Sequence, residues 1–165
     1  MRTLYLLRHA KSCWDDPALP DHERPLAPRG RRDAKRIARH LRRLEITPEL
    51  VLCSSAVRTQ QTLDLLRPRL AEVSVRVEEQ LYGASSDTLL ARIRSVPDQV
   101  GSVLLIGHNP ALQDLALMLC SSGELERLEA KFPTAALATL ALPRWSSLSP
   151  GAADLVAYIV PRQLR

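Results

Sequence analysis

The stretch SVLLI at residues 102–106 is apolar at four consecutive positions. A strand built from it has no face to offer water, so both of its faces must be covered. An antiparallel sheet wetted on one side would instead alternate apolar and polar residues. Thr3–Leu7 and Leu50–Cys53 read as strands of the same unbroken apolar kind, and Val73–Val77 as a shorter one. Between them lie segments of helical period: Gly30–Glu45, Ala56–Leu66, Asp87–Val96, and a helix marked by Leu112, Leu115, Ala116 and Leu119. Buried strands alternating with amphipathic helices define an α/β fold: a three-layer α/β/α sandwich on a mostly parallel, mixed central sheet. Ala135–Leu142 and Leu155–Val160, with no long helix between them, add an antiparallel component. No repeat or linker divides the chain, so residues 1–165 are expected to form a single domain.

Helix ends are written in the same sequence. Thr47-Pro48 stops the Gly30 helix and Pro68 stops the Ala56 helix. Ser86 or Asp87 caps the third, and Asn109 caps the fourth with Pro110 at its first position. In the Gly30 helix, Ala34, Ile37, Ala38, Leu41 and Leu44 make the inward stripe, while Arg31, Arg32, Lys35, Arg39 and Arg42 lie off it. The net charge of +5 is mostly arginine, 20 of the 23 basic residues. The concentration between Arg29 and Arg43 reads first as a solvated face and second as a polyanion-binding surface.

With 45% apolar and 25% charged residues the chain is in the ordinary globular range, long enough to bury a core. No apolar run reaches membrane-spanning length and no secretory leader pattern opens the chain. Cys13, Cys53 and Cys120 are an odd set without CxxC spacing, which speaks against a disulfide framework or a zinc site. A cytoplasmic protein that binds no membrane and no nucleic acid is the expectation.

In open α/β sheets, ligands bind beyond the carboxyl ends of the strands. Here the first strand ends in Arg8-His9, the second in Ser54-Ser55 with Arg58 on the next helical turn, and the strongest in Gly107-His108-Asn109-Pro110. Two guanidinium forks can hold the oxygens of a phosphoryl group. An unprotonated histidine nitrogen can attack phosphorus, and a second, protonated histidine can donate to the equatorial oxygens. The helix N-terminus at Asn109–Leu112 adds positive potential. No Asp or Glu ends these strands to hold a cation, so cationic side chains would neutralise charge in place of a metal, and no cofactor is expected.

The blocks LLRHAKS, CSSAVRTQQT and LLIGHNP resemble those of the histidine phosphatase superfamily. DHERPLAPRGRRDA and QLYGASS resemble its short SixA-type branch, the phosphohistidine phosphatases. The resemblance runs to about Pro161. It implies His9 as nucleophile, with Arg8, Arg58 and His108 forming the phosphate pocket. Ala10 stands where the first block usually has glycine, a change the SixA-type branch tolerates. Larger members carry an acidic proton donor on an inserted region. The nearest candidates here are Glu78 and Glu79, with Glu79 preferred as donor and plain surface charge as the other reading. The short span between Leu66 and Ser102 leaves no room for a roofing insertion.

An unroofed site with a weak or missing acid fits phosphohistidine on a signalling protein, because imidazole leaves more easily than an alkoxide. A phosphatase of a small phosphomonoester, a nucleotide or a sugar phosphate, is the alternative. A polyanion-binding module using the Arg29–Arg43 face ranks below both. Partners are accordingly a phosphorylated protein or a small phosphorylated substrate. Lys11 and Ser12 either touch the substrate or form surface loop, and Arg24 either contacts the ligand or braces the long loop. Trp14 either packs on substrate or anchors that loop, and Cys13 is an oxidisable thiol near the site. His22 and His40 are expected to face solvent, and Cys53 to be a small core residue.

Overall fold

The computed structural model describes residues 1–70 and 72–164. Its strands are β1 (Arg2–Arg8), β2 (Leu50–Ser54), β3 (Ser74–Glu78), β4 (Ser102–Gly107), β5 (Cys120–Ser122), β6 (Leu137–Leu142) and β7 (Ala153–Ile159). The helices are α1 (Pro28–Arg43), α2 (Val57–Leu66), α3 (Ser86–Arg94), α4 (Ala111–Leu119) and α5 (Leu125–Ala130). Short 3-10 turns cover Asp21–Glu23, Arg67–Arg69, Glu79–Leu81 and Pro161–Gln163. The sheet order is β3-β2-β4-β1-β6-β7-β5. β1, β2, β3 and β4 run parallel, β6 is antiparallel to both β1 and β7, and β5 pairs parallel with β7.

The unbroken apolar strands are explained by two separate cores. Leu4, Leu6, Leu52, Val103 and Leu105 pack on one side against Leu89, Ile93, Leu112 and Leu115 of α3 and α4. Leu7, Val51, Cys53, Leu104 and Ile106 alternate onto the other side, against Ile37 and Leu41 of α1 and Leu63 and Leu66 of α2. Each such fully buried side chain stabilises the fold by about 1.5–3 kcal/mol. The result is the α/β/α sandwich on a mixed sheet that the strand pattern predicts.

Several local expectations are corrected. α1 starts two residues earlier, because Pro28 takes a position at the helix start where its fixed φ fits and its missing N–H is no loss. It also ends earlier: Glu45 turns the chain at φ 55°, so Leu44 leaves the stripe and is 54% exposed. Ile46 packs on that core in its place. His40, expected in solvent, is buried beside the stripe, and Arg43 donates to its Nδ1 at 3.3 Å. Ser85 rather than Ser86 or Asp87 caps α3, its Oγ accepting from Thr88 N–H. Pro110 is the capping residue of α4, although Asn109 Oδ1 still accepts from Gln113 N–H at 3.2 Å. β5 and α5 are elements that the sequence pattern does not predict. Trp145, fully buried with Nε1 donating to Val100 O at 2.7 Å, anchors the loop between β6 and β7.

Among the described residues no helix is long and apolar enough to cross a membrane.

Candidate active site

β1 and β4 lie side by side, with Arg8 opposite Gly107. The next residue of each is a histidine, so the parallel register alone sets His9 beside His108. Their ring centroids are 5.2 Å apart. β2 flanks β4 on the other side and delivers Ser54, and the first turn of α2 delivers Arg58. The four strand-end residues singled out by sequence are therefore brought together by sheet order.

His9 is only 7% exposed. Its Nδ1 lies 2.8 Å from the Ala10 carbonyl, which can only accept, so Nδ1 carries the proton and Nε2 keeps its lone pair in the neutral ring. The backbone is held equally firmly. His9 N–H donates to Gly107 O, and Ala10 N–H donates to Thr62 Oγ1, which donates in turn to Arg58 O. Burial, reinforced by the positive charge of its neighbours, pushes the His9 pKa down to about 3. The ring is thus unprotonated at neutral pH, the form a nucleophile needs.

His108 is held down to about 4, by burial first and by Arg58 next. Its Nε2 is 2.7 Å from Ser54 Oγ, and its Nδ1 is 3.5 Å from Arg58 Nη2. Arginine only donates, so Nδ1 accepts and the ring proton sits on Nε2, donating to Ser54. A dianionic phosphoryl group between the arginines would reverse the sign of the field at this ring and favour its protonation.

Arg8 donates from Nη1 to Phe132 O at 3.1 Å, and its Nε is buried with no protein partner among the described residues. Its pKa is lowered by burial first and by Arg58 next. Two like-charged guanidinium groups this near to one another are a site that an anion stabilises.

Arg58 is fixed from the loop side. Its Nη1 donates to Asp21 O at 2.7 Å and its Nη2 to Asp21 Oδ2 at 3.0 Å. Tyr82 OH donates to the same carboxylate oxygen at 2.7 Å. Tyr82 first and Arg58 second hold the Asp21 carboxyl below the ordinary carboxylate range. Tyr82 sets its ring edge-on to both His22 and His108. His22, expected in solvent, instead pairs its Nε2 with Ser55 Oγ at 2.9 Å. Asp21, His22 and Tyr82 are thus site residues that sequence reading did not find. Each stands in a loop far along the chain from its partner, and only the DHERPL and QLYGASS blocks hinted at them.

The remaining candidates are placed at the margin. Lys11 is exposed, and Ser12 forms a lone bridge with Leu26. Arg24 braces the loop: it is buried, donates from Nη1 to Asp16 O at 3.1 Å, and stacks its guanidinium 3.8 Å from the Trp14 ring centroid. Trp14 itself is 59% exposed. Glu78 is committed to Arg92 through bonds of 2.7 and 3.0 Å. Glu79 is exposed on the turn after β3; its backbone carbonyl accepts from Tyr82 N–H at 3.0 Å, but among the described residues no hydrogen bond or ion pair joins its carboxylate to the pocket. Cys53 is a buried core thiol, its pKa pushed up to about 12 by burial. Cys13 is a free, half-buried thiol. Among the described residues no three His, Cys, Asp or Glu side chains group as metal ligands.

A mixed sheet whose central strands and the helix after β2 gather two histidines and two arginines at one edge is the architecture of a phosphoryl-handling α/β protein. The chain belongs to the histidine phosphatase superfamily (branch 1), whose family model matches residues 4–85. An uncharacterized protein of Mycobacterium tuberculosis, Rv1276c, is 40% identical over 162 residues, covering 94% of this chain and all of its own length. Among solved structures, a SixA protein of Nakamurella multipartitia is 32% identical, with a TM-score of 0.85 over 97% of this chain and 96% of its own. The protein histidine phosphatase SixA in complex with tungstate is 27% identical, with a TM-score of 0.82 over 98% of each chain.

Proposed function

We propose that the chain is a metal-independent phosphatase that removes the phosphoryl group from phosphohistidine on a signalling protein, by way of a phosphorylated His9. The observation that carries this reading is the state of His9: Nδ1 is pinned on the Ala10 carbonyl and the ring is kept neutral, so Nε2 is a ready nucleophile. Arg8 and Arg58 neutralise the phosphoryl oxygens, and His108 donates to them once the bound anion has favoured its protonation. His9 Nε2 attacks phosphorus in line. The P–N bond to the substrate imidazole breaks, the electron pair leaves with that ring, and a proton neutralises it. Water then attacks the phospho-His9, releasing inorganic phosphate and a proton and restoring the neutral ring.

The proton inventory supports this substrate class. Both pocket histidines are neutral at neutral pH, and the Asp21 carboxyl stays ionised. Among the described residues, no side chain joined to the pocket by a hydrogen bond is a carboxylic acid ready to protonate an alkoxide. An imidazole leaving group does not need one. The near burial of His9 adds that a protein substrate must present its phosphoryl group on a projecting side chain, as phosphohistidine does. The likeness to a structure holding tungstate, a tetrahedral oxyanion of phosphate's shape, supports the same pocket.

The test compares phosphate release from a phosphohistidine protein with release from a panel of phosphomonoesters, with His9→Ala as control. Preference for phosphohistidine, lost in the variant, with an acid-labile and base-stable phosphoenzyme trapped by rapid quench, is the expected result. Faster His9-dependent release from a small ester would replace the substrate and keep the mechanism. Release that survives His9→Ala would overturn both.

A further inference from the structure

β6 runs antiparallel to β1, with Leu137 opposite Leu7, and β7 runs antiparallel to β6, with Ile159 opposite Leu137. The end of β7 and the Pro161–Gln163 turn therefore emerge at the same sheet edge as Arg8 and His9. Two strand spacings separate them, about 10 Å. There a cleft of about 400 Å³ opens between the first turns of α1, α5 and the end of β7. Five cations line it: Arg29 and Arg36 from α1, Arg127 and Lys131 from α5 and the residue after it, and Arg162 beyond β7. Among the described residues the only carboxylate in its lining is Asp33, buried and already held by Arg36 at 3.0 Å and Arg29 at 3.7 Å. Arg127 is also committed, donating to Tyr158 O and Gln163 Oε1. The side chains of Lys131 and Arg162 are exposed and make no hydrogen bond or ion pair among the described residues. The wall between this cleft and the phosphoryl pocket is the Lys131–Thr134 segment, whose Phe132 carbonyl accepts from Arg8.

We infer that this cleft is a docking subsite for an acidic surface of the phosphoprotein substrate, engaged while the phosphoryl group sits at His9. The inference rests on the function proposed above. A surface with five cations and one neutralised carboxylate attracts carboxylates, and its two uncommitted cations are the ones a partner can claim without breaking internal bonds. The shared sheet edge matters most. A protein presenting a side chain to His9 covers a patch far wider than 10 Å, so it must lie over this cleft as well. A small phosphorylated molecule reaching only the pocket need not touch it.

The experiment measures steady-state kinetics of the full chain and of its Lys131→Glu, Arg162→Glu and doubly substituted forms. The probes are an acidic phosphohistidine protein, a basic one and free phosphohistidine. The expected result is that KM for the acidic protein rises about tenfold or more with kcat kept, while kcat/KM for free phosphohistidine is unchanged. The KM of the unsubstituted chain for the acidic protein should also rise steeply with salt, and that of the double variant only weakly. Equal losses on all three probes would mean a structural role and overturn the docking subsite. Unchanged KM for the acidic protein in the double variant would overturn it too, leaving the functional reading intact. If the unsubstituted chain releases no phosphate from either phosphoprotein, both proposals fall.

Discussion

Arg58 shows how much of this pocket depends on planar geometry. It holds Asp21 through two nitrogens, one to the backbone carbonyl and one to the carboxylate, and still reaches toward His108. A lysine ammonium is a point charge on a flexible stem and cannot reproduce that fork. Arg58→Lys should therefore lower kcat/KM by about 10²-fold or more, in the range of removing one transition-state donor. It should also weaken inhibition by an oxyanion such as tungstate. A loss below threefold would show that charge alone suffices. At this scale the sequence was informative where strand ends carry chemistry, since Arg8, His9 and His108 lie one step from buried strands. It offers only the DHERPL and QLYGASS blocks as a hint where loops supply partners. Asp21 reaches Arg58, and Tyr82 reaches Asp21, across long stretches of chain that no periodicity relates.

Among the elements, the start of α1 governs the loop that follows His9. A Cβ built on Gly30 would lie 2.2 Å from the Lys11 carbonyl oxygen, a backbone atom that already accepts from Ala27 N–H at 2.8 Å. Neither can yield without moving the helix or the loop. Gly30→Ala is expected to cost about 1–3 kcal/mol, the usual penalty of an overfilled site, and to lower kcat because the loop begins two residues after His9. Urea unfolding and steady-state assays check both, and wild-type values in each would disprove the contact's importance. Helices and strands were legible in the sequence when they were long or unbroken, as in α1 and β4. The three-residue β5 and the six-residue α5 contain too few positions for a period to show. The positive φ at Glu45, which ended the stripe before Leu44, has no apolar signature at all.

For the whole molecule, two neutral buried histidines tie folding to pH. His9 and His108 have folded pKa values near 3 and 4, against 6.5 when unfolded. Between those limits the unfolded chain binds more protons than the folded one, so stability rises with pH. The full value is present above 6.5 and declines as the pH falls, by up to about 1.4 kcal/mol per pH unit for each histidine. Urea midpoints recorded from pH 7 to pH 4 should show this slope, and His108→Asn should flatten part of it. A midpoint that stays level on acidification would contradict the buried, neutral state. The three-layer architecture was the most legible level of all, because four apolar residues in a row at 103–106 leave only one way to exclude water.

The loop after His9 is closed at its base: Cys13 N–H donates to Pro25 O and Ala27 N–H to Lys11 O, with Ser12 bridged to Leu26 between them. A loop whose two ends are neighbours can change length at its tip for little entropy, about 0.6 kcal/mol for each doubling. The Pro17–Leu19 tip is therefore an exchangeable cassette. Successive variants of the protein can alter this stretch of surface while the sheet edge keeps one chemistry.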